Sequence, residues 1–244
     1  MAERNLVYFV ADAHLGLRSG DPAAREERFL QFLKGIPRDT TAALWLLGDI
    51  WDFWYEYRDV IPREGIRVVA QLIDLMDSGV EVCYVPGNHD IWCYNFFESI
   101  GIRKVSQPVF ETIGGKRFCL GHGDLLGGAR WSYKFMLGIF RCRFLQRCFS
   151  ALHPWIAYRF GLGWSHSNRR THEPYIFKGE EEPLYKYAQS VLDEKEVDFF
   201  VFGHYHVGVD MQLPGGQRLV VVKDWLDGGS PYACFDGERL VTSF

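Results

Sequence analysis

The chain of 244 residues has 48% hydrophobic residues and a formal net charge of −4. This length fits one large α/β domain with a substantial core. The net charge argues against a general nucleic-acid binder. No stretch of about 18 uncharged apolar residues occurs, which excludes a transmembrane helix.

The cysteines and the first residues of the chain favour a reducing compartment. None of the six cysteines forms a CxxC pair, and most lie in apolar surroundings, as reduced core thiols do. A strand-like run begins at Leu6, with no basic leader or apolar signal region before it. We therefore expect a cytosolic protein.

Three continuous apolar runs predict strands that are buried on both faces, at residues 6–11, 42–47 and 80–85. Apolar residues at helical spacing follow the first run from Asp21-Pro22 onward, and the second run from Ile66 to Gly79. Crossover helices make the strands parallel, and open parallel sheets bind ligands at the carboxyl ends of their strands.

Shorter strands are predicted in the second half of the chain. A hairpin is expected around Gly114-Gly115, a helix over 182–195 and another buried strand at 198–202. The chain should finish as an antiparallel set, with strands at 207–213, 218–222, 232–235 and 239–244. We predict a single domain over residues 1–244, with two sheets packed together and helices outside.

Five short polar motifs stand at the ends of predicted apolar runs. They are Asp12-Ala13-His14, Gly48-Asp49 with Asp52, Gly87-Asn88-His89-Asp90, Gly121-His122-Gly123-Asp124 and Gly203-His204-Tyr205-His206. Carboxylate, amide and imidazole ligands together suit Mn, Fe or Zn better than Ca. One parallel-rich sheet could bring all five motifs to one edge and form a metal site there.

A hydrolytic site with two metal ions needs a carboxylate that bridges the ions and further ligands on each side. Asp49 would bridge them. Asp12 and His14, two residues apart, would face one ion together with His206. Asn88, His122 and His204 would hold the second ion.

Each motif also has an ordinary structural explanation. A single Asp-x-His after a strand is most often a turn or a cap, and a single Gly-Asp is weaker evidence still. Five matches in this order at predicted strand ends make that explanation poor for the whole set. Three other histidines, His153, His166 and His172, are better explained as surface or capping residues.

The five motifs resemble those of the calcineurin-like metallophosphoesterase family, which run D-x-H, G-D-x-x-D, G-N-H followed by D or E, G-H, and G-H-x-H. The resemblance covers almost the whole chain apart from an insert. It implies a β-sandwich of two mixed sheets flanked by helices, and hydrolysis at phosphorus. It also implies two divalent metal ions, with Mn expected and Fe or Zn as alternatives, bound by Asp12, His14, Asp49, Asn88, His122, His204 and His206.

The same resemblance implies a catalytic pair. His89 would stabilise or protonate the leaving group, and Asp52 would orient the His89 ring. Elementary electrostatics agrees, because a carboxylate that is hydrogen-bonded to an imidazole raises the imidazole pKa and keeps it cationic near a phosphate.

The segment 125–172 contains no Asp or Glu and eight basic residues, whereas the rest of the chain carries 19 basic and 31 acidic residues. It is also rich in aromatic side chains. This composition predicts basic amphipathic helices that lie on an anionic membrane or line a groove for an acyl chain. Two helices packed on the core, with solvated arginines, explain the same composition equally well.

Because this insert directly follows the His122 motif, we expect it to form a lid beside the metals. Within the family, it resembles a subgroup that cleaves the diphosphate of a lipid-linked nucleotide, at the inner face of the inner membrane. Better-known members carry arginine at His89, glutamate at Asp52 and an acidic residue near Arg130, so this chain departs from them there. The expected substrate contacts are Asn88, His89, Arg130, Asn168, Arg169 and His204.

Other functions remain compatible with the sequence. The chain could hydrolyse another phosphodiester or a nucleotide, but a soluble substrate gives no reason for so apolar an insert. A non-catalytic scaffold would have lost ligands, and none is missing. A nuclease could use the basic insert for phosphate contacts, although we expect no nucleic-acid partner.

Overall fold

The computed structural model describes residues 4–128, 131–169 and 175–244. The strands are, in chain order, β1 (Leu6–Val10), β2 (Thr41–Leu46), β3 (Glu81–Tyr84), β4 (Arg103–Lys104), β5 (Val109–Ile113), β6 (Lys116–Leu120), β7 (Phe199–Phe202), β8 (Val209–Gln212), β9 (Arg218–Val221), β10 (Tyr232–Phe235) and β11 (Leu240–Ser243). The helices are α1 (Pro22–Gly35), α2 (Ile66–Asp77), α3 (Phe96–Ser99), α4 (Trp131–Arg141), α5 (Arg143–Ser150), α6 (Pro154–Arg169) and α7 (Pro183–Leu192).

Two mixed sheets pack face to face. The first has the strand order β11-β10-β1-β2-β3-β4 and the second β5-β6-β7-β9-β8. Buried side chains from both sheets, such as Phe9 and Trp45 in the first and Phe118 and Val201 in the second, form the core between them. The predicted sandwich is therefore confirmed.

Helices α1, α2 and α7 cover the outer faces of the sandwich. Phe29 and Leu33 of α1 and Leu72 of α2 are buried with residues of the first sheet. The first helix begins as its sequence suggests, since the Asp21 side chain accepts a hydrogen bond from Ala24 N and proline fills the first helical position. Across the molecule, α7 packs on the second sheet.

The final strands do not form the single antiparallel set that the sequence suggested. In the second sheet β8 pairs antiparallel with β9, but β9 runs parallel to β7. In the first sheet β10 pairs antiparallel with both β1 and β11. The prediction was wrong because the segment between β9 and β10 crosses from one sheet to the other, where β10 pairs with the available edge of β1.

Three helices, α4 to α6, make up the described part of the insert, which we call the lid. It is fastened to the core by hydrogen bonds: the Tyr55 hydroxyl donates to Gln146 O at 2.8 Å, and Trp92 Nε1 donates to Phe140 O at 3.1 Å. Most lid side chains are not buried in the core, and Trp131 is 80% exposed. Among the described residues, no helix is long and apolar enough to cross a bilayer.

Candidate metal centre

The backbone is strained where the polar motifs meet. Asp12, His14, Asp49, His204 and His206 all have positive φ values, between 44° and 75°. Residues with a Cβ rarely adopt this conformation, and it is tolerated mainly at functional sites. Each of these five residues thus turns sharply at the end of its strand or soon after it.

Two motif glycines allow the loops to approach one another closely. A Cβ atom on Gly48 would lie 2.5 Å from Nδ1 of His122, and one on Gly87 would collide with the Asp49 carboxylate. Gly48 also has a φ of 83°, which favours glycine by itself. A side chain at either position would push the predicted ligands apart.

The motifs come from both sheets, whereas the sequence predicted that they would meet at one edge of a single sheet. Asp12, Asp49 and Asn88 follow strands of the first sheet, whereas His122 and His204 follow β6 and β7 of the second. Because the sheets are packed face to face, the carboxyl ends of these parallel strands converge at one end of the sandwich. The site therefore joins the two layers.

One group of candidate ligands contains Asp12, His14 and His206. Oδ1 of Asp12 lies 3.6 Å from Nε2 of His14 and 3.8 Å from Nε2 of His206. This oxygen is buried and accepts no hydrogen bond from the described part of the chain, while Oδ2 accepts the backbone N–H of His204 at 2.8 Å. A buried carboxylate oxygen facing two imidazoles fits a cation between them.

A second group centres on Asp49. Its Oδ2 lies 3.3 Å from Nε2 of His122 and 3.9 Å from Nε2 of His14. The Oδ1 of Asn88 lies 3.2 Å from the same His122 nitrogen. Asp49 thus stands between both groups, which is the position that a bridging carboxylate requires.

Hydrogen bonds orient two of the imidazole rings toward the centre. The Nδ1 of His122 lies 2.9 Å from the carbonyl oxygen of Leu47, and the Nδ1 of His206 lies 2.7 Å from Oδ2 of Asp224. With Nδ1 protonated, each ring presents the lone pair of Nε2 to the site. This support is typical of histidines that bind metals.

Burial and mutual contacts shift the pKa values of several groups in the site. Burial raises the pKa of Asp12 to about 6, although His206 and His122 oppose the effect. Burial would raise the pKa of Asp49 as well, but His122 and His89 outweigh it and hold that pKa well below its usual range. Burial and the nearby His122 lower the pKa of His204 to about 3, which keeps this imidazole neutral and able to act as a ligand.

Asp90 organises the site without being a predicted ligand. Its Oδ1 accepts the N–H of Gly87 at 2.7 Å, and its Oδ2 accepts the N–H of Ile50 at 2.9 Å. The fully buried carboxylate therefore ties the Asp49 loop to the Asn88 loop. Its place in the Gly-Asn-His-Asp motif could have indicated this role, whereas the sequence gives no comparable signal for Asp224, which supports His206.

The His89 ring is hydrogen-bonded to the backbone of Asp52 and not to its carboxylate, which lies farther away. Nδ1 of His89 lies 2.9 Å from the backbone carbonyl oxygen of Asp52 and 3.7 Å from its carboxylate. The carboxylate lies closer to Nδ1 of His14, at 3.3 Å. The rings of His14 and His89 pack edge to face, with centroids 5.0 Å apart. Both imidazoles therefore lie beside Asp52, and the Asp52 carboxylate is nearer to His14 than to His89.

The predicted substrate contacts are only partly visible. Asn88 and His89 line a cavity, and the backbone N–H of His204 is bonded to Asp12 in the metal centre. Arg130 and the side chains of Asn168 and Arg169 lie outside the described residues.

This cavity has a volume of about 290 Å³ and runs from the metal centre into the lid. At its polar end are Asp52, Asn88 and His89. The remaining walls are mainly apolar and come from the lid and from the loops beneath it: Phe53, Tyr55, Trp92, Tyr133, Met136, Leu137, Ile139, Phe140, Leu145, Gln146, Phe149, Phe160 and Gly161.

A family model described as calcineurin-like phosphoesterase matches residues 6–208. The chain belongs to this family. It is 34% identical to the UDP-2,3-diacylglucosamine hydrolase of Porphyromonas gingivalis over 98% of the chain and 97% of that protein. Identity to the protein of the same name from Aeromonas hydrophila is 27%, over 95% of each chain.

Among solved structures, a dimetal phosphatase from Danio rerio shares the fold, with a TM-score of 0.52 at 15% identity over 98% of each chain. The predicted family and fold are thus confirmed, and every family motif quoted above has its residues in place. Candidate Asp and His ligands lie close enough together to hold divalent ions, which agrees with a metallophosphoesterase.

Proposed function

We propose that this phosphoesterase hydrolyses the diphosphate bond of UDP-2,3-diacylglucosamine, giving UMP and 2,3-diacylglucosamine 1-phosphate for lipid A biosynthesis. The observation that carries the proposal is the cavity, which begins at Asn88 and His89 and continues between apolar lid helices. A phosphate at the metal centre would have an apolar compartment beside it. The names of the relatives support the same substrate.

The apolar walls favour acyl chains over a soluble nucleotide. Each methylene that leaves water contributes about 0.8 kcal/mol, so a few methylenes outweigh any single exposed polar contact. Phe140 and Phe149 line the cavity, and they also pack against Trp92 and Tyr55 of the core. The lid can therefore hold an acyl chain without moving away from the metal centre.

We assign two divalent ions, with Mn favoured, to the two groups of ligands. Asp12, His14 and His206 would hold one ion, Asn88, His122 and His204 the other, and Asp49 both. Bound there, the ions would polarise phosphoryl oxygens and provide a nucleophile at neutral pH.

His89 is the proposed catalytic residue. Its Nδ1 faces the Asp52 carbonyl oxygen, so its Nε2 remains directed toward the site, 3.9 Å from Oδ2 of Asp49. The side chain is 23% exposed and lines the polar end of the cavity. From that position Nε2 can donate a proton or a hydrogen bond to the phosphate that leaves with the lipid.

The outer surface of the lid suits an anionic membrane. Large apolar side chains are exposed there, and five cations lie among them with no acidic residue between 131 and 160: Lys134, Arg141, Arg143, Arg147 and Arg159. Each such cation near an anionic bilayer contributes about 1 kcal/mol of attraction. We propose peripheral attachment to the inner face of the inner membrane, from which the lipid substrate would enter.

The deciding experiment compares three substrates on purified, metal-loaded protein: UDP-2,3-diacylglucosamine, UDP-glucosamine without acyl chains, and a chromogenic phosphodiester. We expect much the highest kcat/KM for the acylated nucleotide, with UMP and the lipid monophosphate identified by mass spectrometry. Equal kcat/KM for the first two substrates would exclude a lipid-selective enzyme. Activity on the small ester alone would indicate a different phosphoesterase.

A further inference from the structure

Three side chains connect the His122 loop to the first lid helix. The side-chain oxygen of Gln107 accepts the N–H of Gly123 at 2.8 Å, and its Nε2 donates to Oδ1 of Asp124. The other oxygen of Asp124 accepts the hydroxyl of Tyr133, which lies in α4, at 3.4 Å. Asp124 is only 6% exposed, so this chain of hydrogen bonds is largely protected from water.

Tyr133 also lines the cavity, together with Asn88 and His89. The attachments at Gln146 and Phe140 instead fasten the lid to Tyr55 and Trp92. Tyr55 and Trp92 lie in loops of the first sheet, whereas Tyr133 connects the cavity wall to the His122 loop of the second sheet.

The hydroxyl of Tyr133 is suited to remain a donor. Burial raises its pKa well above the usual value, and the charge of Asp124 raises it further. The phenol of Tyr133 therefore stays protonated and can donate its hydrogen bond.

We propose that Tyr133, acting through Asp124, is a positioning residue that fixes the lid cavity relative to the metal centre. The inference rests on the proposed function. An acyl chain held by the lid places its diphosphate correctly only if the lid keeps a fixed distance from the metal ligands. Errors of about 1 Å in such placement can cost roughly 10²-fold in rate. A small ester, which does not contact the lid, needs no such alignment.

The test is Tyr133→Phe, which removes the hydroxyl and keeps the ring in the cavity wall. We expect kcat on the acylated nucleotide to fall by about tenfold, the scale of one lost hydrogen bond to a charged group. KM for that substrate, turnover of the small ester and bound metal should stay near wild type. Tyr158→Phe is the matched control, because that lid hydroxyl donates to the backbone oxygen of Tyr55 at 2.7 Å, away from the His122 loop.

Asp124→Asn and the double variant test whether the two residues act as a pair. Their effects on kcat for the acylated nucleotide should be strongly non-additive. Amide hydrogen exchange of residues 121–128 and of α4 supplies a readout that is independent of turnover. Exchange should quicken in both segments for Tyr133→Phe and stay unchanged at 121–128 for Tyr158→Phe.

Two results would overturn the inference. A higher KM at unchanged kcat would make Tyr133 a simple lipid contact, and equal losses on both substrates would place its effect on the metal centre itself. If wild-type protein did not hydrolyse the acylated nucleotide, the proposed function would fail. Hydrogen exchange still tests the inference in that case. Unchanged amide exchange at residues 121–128 in Tyr133→Phe would refute the link between the lid and the His122 loop.

Discussion

At the scale of single residues, Asp49 has the central position. One carboxylate oxygen faces the imidazoles of His122, His14 and His89, and the other accepts the backbone N–H of His89 at 2.9 Å. A single side chain thus touches both groups of ligands and the proposed catalytic histidine. Its loss should disturb metal binding and catalysis together.

We therefore expect Asp49→Ala to lose most of its bound metal and to fall to background activity, because neither ion keeps a complete set of ligands. Elemental analysis and phosphodiester turnover measure both effects. Asp77→Ala, an exposed carboxylate at the end of α2, is the control. Two ions per chain with near-native turnover in Asp49→Ala would disprove the bridging role.

Substitutions of His89 and of Asp52 should affect different properties of the enzyme. His89→Ala should keep its metal and lose about 10²–10⁴-fold in rate, the usual range for a positioned acid. Asp52→Asn should chiefly weaken metal binding, by about 10–100-fold, since its carboxylate lies nearer to the ligand His14 than to His89. Metal titrations and rates at saturating metal distinguish the two. The same rate loss with full metal affinity in both variants would restore the pairing suggested by the sequence.

The candidate ligands could be chosen from the sequence because each motif is local and combines residue types whose main use together is to bind metal; their role as ligands stays a prediction. It could not show which imidazole receives the Asp52 carboxylate, since His14 and His89 come from different strands. Nor could it reveal Asp224, whose contact with His206 depends on how the chain crosses between the sheets.

At the scale of elements, the metal centre is a junction between loops. The loops after β1, β2 and β3 carry Asp12, Asp49 and Asn88, whereas those after β6 and β7 carry His122 and His204. Buried carboxylates and imidazoles meet there at 3.3 to 3.9 Å. The complete set of ligands exists only in the folded protein. Ions that bind these groups would therefore hold the two sheets together.

Metal loading should therefore stabilise the fold. At a free metal concentration of about 100 times Kd, the free energy of unfolding should rise by about 2.7 kcal/mol for each independent site. Thermal melts of chelator-treated protein with and without added Mn measure this rise. It should be much smaller in Asp49→Ala and unchanged in Asp77→Ala. Identical melting temperatures for wild-type protein with and without Mn would contradict the assignment.

The apolar periodicity predicted strands β1, β2 and β3 of the first sheet and the crossover helices α1 and α2, because each buried strand is a short local signal. It did not predict the division of the last four strands between the sheets. All four are short, so their pairing depends on which strand edges are available in the folded core. That information is not local.

At the scale of the whole molecule, the basic and the acidic residues are segregated. The lid carries cations and exposed aromatic rings, while the remainder of the chain has an excess of acidic residues. An anionic membrane would attract the lid more strongly than the rest of the protein. Such attraction would turn the lid toward the lipid surface.

The lid should thus determine the choice of substrate, while the metal centre performs the chemistry. In a variant with residues 131–160 replaced by a short Gly-Ser linker, the ligands of both ions and the two sheets remain, but most of the cavity wall is gone. We expect this variant to hydrolyse the small phosphodiester and to lose the acylated nucleotide preferentially. It should also bind anionic phospholipid vesicles much more weakly than the wild type.

Circular dichroism, thermal melts and metal analysis must first show that the trimmed protein is folded and loaded. Neutral vesicles of phosphatidylcholine then serve as the control for charge, because the wild type should bind them less than anionic ones. Equal loss of both activities in a folded, metal-loaded variant would mean that the lid only supports the metal centre. Retained selectivity for the acylated nucleotide would place the acyl-binding surface on the sandwich itself, since the lid walls of the cavity would no longer be there to bury the methylenes.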